Sequence, residues 1–167
     1  MRSLLLVLAL AGCTHVIAEP NPVDTADQYV GLQEVRDRKQ LTVVLGVDPV
    51  RTEWCAAFVN AVLDIDHIPS LNSLQHPYPL MARSFLSWGE GVDPKHITVG
   101  DIVVFPRGRS GWQGHVGFYA RTVIVDSVEY WVILGGNQDQ QVGYDLYRAD
   151  RALGVRRWQQ SQVDHLD

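Results

Sequence analysis

The sequence predicts an α+β domain, and three observations predict it. Apolar residues recur at helical spacing in the first half of the chain, to about Trp88. From Gly100 onward the signal changes to short runs rich in β-branched and aromatic residues. The connections between those runs are too short for parallel crossovers, so the strands are antiparallel neighbours. Helices first and strands after give N-terminal helices packed on a central antiparallel sheet of about five to six strands. A chain of 167 residues is one domain by length. With 46% hydrophobic and 20% charged residues, it has the composition of a globular protein. A formal charge of −5 and the lack of any basic run argue against a nucleic-acid partner.

The first segment stands apart from that domain. Met1-Arg2 is a short positive start and Ser3 to Leu10 an apolar run, too short to span a bilayer but suited to a secretory signal. The segment ends in LAGC, which resembles the lipobox of bacterial lipoproteins. The resemblance implies that residues 1–13 are a signal and that Cys13 is lipidated as the mature N-terminus. Thr14 follows Cys13, in place of the aspartate that tends to hold a lipoprotein at the inner membrane. The expectation is an exported protein, anchored in the outer membrane through Cys13 and facing the periplasm. Without residues 1–13 the balance is 13 basic to 19 acidic side chains, or −6. Residues 14–23, with Pro20 and Pro22, read as a tether. Residues 24–160 read as the folded domain and 161–167 as a tail.

Within the domain the first helix is expected from Asp24 to about Arg38, with Asp24 or Thr25 as its cap. Leu41 to Val50 is apolar but short, and is either a helical turn or a connection. TEWCAAFVNAVL, from Thr52 to Leu63, is the next helix and runs to about Asp66, with Thr52 as N-cap and Cys55 as the third helical residue. A proline-containing loop leads to a short helix over Leu80 to Trp88, stopped by Gly89. The strands are expected at Ile102–Phe105, His115–Ala120, Val123–Val128, Tyr130–Leu134, Val142–Arg148 and Leu153–Trp158.

Cys13 and Cys55 are the only cysteines. With Cys13 lipidated, no disulfide can form within the chain, and Cys55 is a lone thiol in an exported protein. At a helix N-terminus the dipole favours its thiolate. Two cysteines cannot make a Cys-rich zinc site. A cysteine nucleophile needs a base within hydrogen-bond reach and a group that orients the base. Of the six histidines, His115 is distinct: it opens the strand HVGFYA directly after the glycine-rich turn Gly111 to Gly114. Strand parity puts His115, Gly117 and Tyr119 on one face and Val116, Phe118 and Ala120 on the other. Gly117 offers room for a close approach, such as that of the Cys55 helix. For the orienting group, Asn137 closes WVILGGNQ on a strand that can pair with the His115 strand. Asp126, Glu129 and Gln138 are its rivals.

WCAAFVNAVL, GDIVVFPRG, GWQGHVGFYA and WVILGGNQ, in that order, resemble the papain-like NlpC/CHAP superfamily of cysteine peptidases and amidases. Within it the chain is most similar to compact bacterial and phage cell-wall hydrolases, over roughly Ala26 to Trp158. The resemblance implies a papain-like fold with Cys55 as nucleophile, His115 as general base and Asn137 as orienting residue. Gly100 and Asp101 match the family's structural turn. It also implies peptidoglycan as substrate and partner: an endopeptidase cutting stem peptides, or an N-acetylmuramoyl-L-alanine amidase. No metal or other cofactor is required. The backbone N–H of Cys55 is one oxyanion donor, with Gln113 or the backbone near Trp54 as candidates for the second. Trp112 and Gln113 are the candidate substrate-binding residues, with Trp88 as a further aromatic for the groove. The alternatives are a toxin-like amidase or acyltransferase of the same fold acting on another amide or ester, and a non-catalytic cell-wall-binding module. Two features depart from the family: a long hairpin over Arg121 to Tyr130, and the lipobox.

Overall fold

A computed structural model describes residues 21–159. Cys13, residues 14–20 of the tether and the tail fall outside them. The described chain is α+β: a six-stranded antiparallel sheet with helices on one side.

The N-terminal helical region differs from the expected single helix. Helix α1 spans Pro22–Asp27. Pro22 is a helical residue here, because its fixed φ suits the first turn and Asn21 caps it by accepting from the Val23 N–H at 3.2 Å. The chain then leaves the helix. Gly31 takes φ 89°, and its N–H donates to the Val142 carbonyl at 2.9 Å. Glu34 N–H donates to the Gln140 carbonyl at 2.9 Å, so this stretch forms a rim along the sheet. That pairing outweighs the helical spacing of the apolar residues. Helix α2, Arg38–Leu45, follows and ends at Gly46 in the left-handed conformation, φ 68°.

Helix α3 is Cys55–Ile65, and eight of its eleven residues are buried. Trp54 occupies the N-cap position without a side-chain capping bond, and Thr52 does not cap the helix. Cys55 is therefore the first helical residue, not the third. Asn60, buried on α3, donates to the Pro79 carbonyl at 2.8 Å and accepts from the Leu71 N–H at 2.9 Å. It fixes the proline-containing loop beside the helix. The short helix that follows is a 3₁₀ turn, Ala82–Ser87.

The strands are β1 Glu90–Val92, β2 Ile102–Pro106, β3 Gly114–Val125, β4 Val128–Gln138, β5 Gln141–Arg148 and β6 Gly154–Arg157. Their order is β1-β6-β2-β3-β4-β5. The run expected at His115–Ala120 continues in β3 into Val123–Val125 of the run expected at Val123–Val128, with a register shift between Tyr119 and Arg121; the rest of the second run is the turn Asp126–Ser127 and the first residue of β4. The long hairpin turns at Asp126 and Ser127, both at positive φ (50° and 63°). β1 is too short to stand out by pattern and is held by its pairing with β6.

The alternation along β3 is as the sequence predicts. Val116 and Phe118 pack with Phe58, Val59 and Val62 of α3, along with Val104 and Leu134. Tyr119 lies in the opposite layer with Val103, Phe105, Trp131, Ile133 and Val155. His115 is paired with Phe105 across β2 and β3 and shares that layer. Asp101, at the turn before β2, is buried and held by Arg157 at 2.6 Å, a structural role. No helix of the described residues is long and apolar enough to cross a membrane.

Candidate active site

Cys55 meets β3 at a break in the sheet. Along β3, alternate residues direct their N–H and C=O to β2 or to β4. Tyr119 exchanges backbone bonds with the Gly100–Asp101 turn, so Val116 and Phe118 face β4. β4 pairs with β3 only as far as Leu134, opposite Phe118. Beyond that point the N–H of Val116 has lost its strand partner and faces the Cys55 sulfur instead. The Ala56 N–H faces it as well. The first bond within α3 runs from the Phe58 N–H to the Trp54 carbonyl, so the Cys55, Ala56 and Ala57 N–H groups have no acceptor in the helix.

A glycine makes this approach possible, but it is Gly136 and not Gly117. A β-carbon on Gly136 would lie 2.6 Å from the Trp54 ring and 2.7 Å from Phe58 Cβ. The space beside Gly117 is taken by Ile133, whose Cγ2 would be 2.6 Å from an added β-carbon.

His115 is one residue from the Val116 N–H that faces the sulfur, and it is 3% exposed. Its ring stacks on Tyr147 at 5.3 Å and 10°, and Tyr147 in turn stacks on Phe105 at 4.6 Å. Its Nε2 lies 3.0 Å from Gln138 Oε1. The amide of Gln138 can point only one way, because its Nε2 donates to the carbonyls of Ile133, at 3.1 Å, and Gly143, at 2.5 Å. Its oxygen therefore accepts from the imidazole. The proton sits on His115 Nε2, and Nδ1 is left as the basic nitrogen. Nδ1 has no hydrogen-bond partner among the described residues.

This corrects the expectation for Asn137, which makes no hydrogen bond with His115. Its Nδ2 donates to Glu53 Oε2 at 2.7 Å. The cause is a bulge. Asn137 has φ 58°, and the register of β4 on β5 shifts between Gly135 and Gln138. Plain alternation would turn residue 137 towards the face that holds His115. The shift gives that place to Gln138.

The electrostatics of the free site also differ from the expected thiolate. Burial pushes the Cys55 thiol up. The Val116 N–H, Arg107 and the Ala56 N–H pull it down, and Glu53 adds to the rise, but burial prevails. Burial likewise lowers His115 to about 4; the Gln138 bond opposes this and Arg107 adds to it. At neutral pH the resting pair is a thiol and a neutral imidazole. The sulfur and Nδ1 are not hydrogen-bonded to each other in the free chain, and catalytic bonds of this kind commonly tighten only with substrate present.

Cys55 opens onto a cleft of about 350 Å³ lined by Glu53, Leu80, Met81, Ala82, Arg107 and Trp112, with Gln113 and glycines 108 and 114. Trp112 is 63% exposed on the loop between β2 and β3, where it offers an aromatic platform. Gln113 lines the same cleft, but its Oε1 accepts from the Ser110 N–H at 3.3 Å and its carbonyl from Arg83 at 2.7 Å. It shapes the loop. Trp88 is buried and donates to the Pro69 carbonyl at 2.7 Å, so it belongs to the core and not to the groove. His67 and His76 stand in loops and His96 ends a single 3₁₀ turn, Pro94–His96; none of them lines this cleft.

Three residues of the site escaped sequence reading. Tyr147 is one alternating strand residue among several. Glu53 and Arg107 flank the motifs that carry Cys55 and the start of the loop, and only charge beside an apolar run marked them. No protein-family model matches the chain, and no curated protein matches it.

Proposed function

We propose that the chain is a cysteine hydrolase that cleaves an amide or peptide bond in the stem peptides of peptidoglycan. One observation carries the hydrolase reading: Cys55, a lone thiol among the described residues, stands at a helix N-terminus, lines a cleft and faces the N–H of Val116, the residue that follows a histidine whose tautomer is fixed by Gln138. An inert buried cysteine needs no such histidine. The ordered motifs that resemble the papain-like NlpC/CHAP hydrolases support the wall substrate and the papain-like form of the fold. The LAGC motif supports a lipid anchor at Cys13, in the outer membrane and facing the periplasm.

In the proposed reaction, His115 Nδ1 takes the thiol proton as the sulfur attacks the amide carbonyl carbon. The Cys55 N–H, unpaired within the helix, donates to the developing oxyanion. The carbon–nitrogen bond breaks and the amine leaves with the proton from His115. Water, deprotonated by His115, then attacks the thioester; the product acid departs and the thiol is restored. Gln138 holds Nε2–H throughout, so Nδ1 is always the nitrogen that exchanges protons.

Mass analysis of fragments from purified sacculi tests the reading. The expected result is one new pair of termini, either within the stem peptide or between lactate and the first alanine. Sacculi that remain intact under conditions where the chain is folded would overturn it.

A further inference from the structure

Glu53 and Arg107 divide the cleft of Cys55 from a second hollow of about 340 Å³ that also contains Arg51, Asn137 and Gln140. Glu53 Oε2 is 3.5 Å from Arg107 Nη1 and accepts from Asn137 Nδ2 at 2.7 Å. One carboxylate oxygen thus rests between a guanidinium and an amide N–H₂, next to the thiol.

The contact with Arg107 is a loose one. It is a single, long, unforked contact between side chains that are 46% and 81% exposed, the kind of pair that contributes little. Arg107 makes no hydrogen bond among the described residues, so its fork of donors is unspent. Asn137, by contrast, is 8% exposed and held by the bulge at φ 58°. The fixed donor of this arrangement is the Asn137 amide, while Arg107 and Glu53 are exposed side chains joined by one long contact. A guanidinium binds an incoming carboxylate with two parallel bonds, which the Glu53 contact does not use.

We propose that Arg107 and Asn137 form a subsite for a free carboxylate of the substrate, and that Glu53 occupies it until substrate arrives. The inference rests on the hydrolase reading for the identity of the neighbouring cleft, and it narrows the substrate to an anionic peptide. The carboxylate would sit in the polar hollow while the scissile amide lies in the apolar cleft with Cys55. Stem peptides carry such a group on their second residue when glutamate is present there, and lose it when that residue is amidated.

The test uses the full chain in detergent and two probes, L-Ala-γ-D-Glu-L-Lys-D-Ala-D-Ala and its counterpart with the glutamate α-carboxyl amidated, both with amidated C-termini. Binding is measured by calorimetry on Cys55→Ala protein, and cleavage separately on the unsubstituted chain. The acid peptide should bind about tenfold more tightly than the amide, in line with charge-assisted bonds. Arg107→Gln should abolish the difference and Arg107→Lys keep part of it. Glu53→Gln should tighten the acid peptide alone, because the resident carboxylate is gone. Equal binding of the two peptides, no binding of either, or weaker binding of the acid peptide by Glu53→Gln would each overturn the subsite. Discrimination in binding with no cleavage keeps the subsite and removes the hydrolase. Cleavage of both peptides with equal KM does the reverse.

Discussion

Gln138 Oε1 lies 3.0 Å from His115 Nε2, and the two carbonyls bound by the same amide leave it no other orientation. This contact fixes which nitrogen of the imidazole can act as a base. Gln138→Ala should lower kcat by on the order of 10²-fold, the low end of a general base's contribution. It should also cost roughly 1–3 kcal/mol for the loss of the buried bond to the Ile133 carbonyl, and less for the part-buried Gly143 carbonyl. Asn137→Ala should act mainly on KM. Steady-state kinetics of the two variants separate the roles. A larger loss of kcat in Asn137→Ala than in Gln138→Ala would return the orienting role to Asn137.

The buried imidazole ties stability to pH. His115 is lowered from 6.5 to about 4 in the folded chain, so the unfolded chain binds the extra proton first as pH falls. The contribution is fully present above 6.5 and is lost as pH falls through about 4, amounting to about 3 kcal/mol. Urea unfolding at pH 7 and pH 4 should show this loss in the natural chain and not in His115→Gln. Equal losses in both would place the acid sensitivity elsewhere.

The resting thiol should be slow to alkylate. Cys55 is 3% exposed and burial raises its pKa, so iodoacetamide at pH 8 should label it more slowly than it labels glutathione. Faster labelling at pH 6 that disappears in His115→Ala would reveal a preformed thiolate–imidazolium pair.

Tyr147 confines the ring it stacks on, at 5.3 Å. Tyr147→Ala should open His115 to water, raise its pKa towards 6.5 and lower kcat. NMR titration of the imidazole measures the shift, and an unchanged pKa would limit Tyr147 to packing.

Gly136 sets how closely α3 meets the sheet. A β-carbon there would lie 2.6 Å from the Trp54 ring, so Gly136→Ala should destabilise the chain by roughly 1–3 kcal/mol, as overpacking does. Thermal or urea unfolding checks it. A fully stable variant would mean that the helix can shift, in which case the position of Cys55 should shift as well.

What could be read in the sequence followed local rules. The apolar face of α3, the alternation along β3 and the isolation of His115 from the loop histidines depend on spacing within a single element. The misreadings arose where two distant segments met. The first helix broke because Gly31 to Glu34 pairs with residues more than a hundred positions away. Gln138 displaced Asn137 because one left-handed residue in β4 shifted the alternation, and neighbouring amides in sequence look alike until that bulge is seen. The thiolate expected at a helix terminus gave way to burial, which depends on how much of the sheet covers the sulfur. Glu53 and Arg107 meet only because their loops converge over the cleft.

The proposed function rests on Cys55 as the nucleophile in amide hydrolysis of peptidoglycan. Its most direct test is muropeptide release from purified sacculi by the chain without residues 1–13, compared with the same chain carrying Cys55→Ala. The expected result is soluble fragments from the first and none above background from the second, with both chains folded to the same degree. Equal release by the two would contradict the assignment of Cys55 as nucleophile.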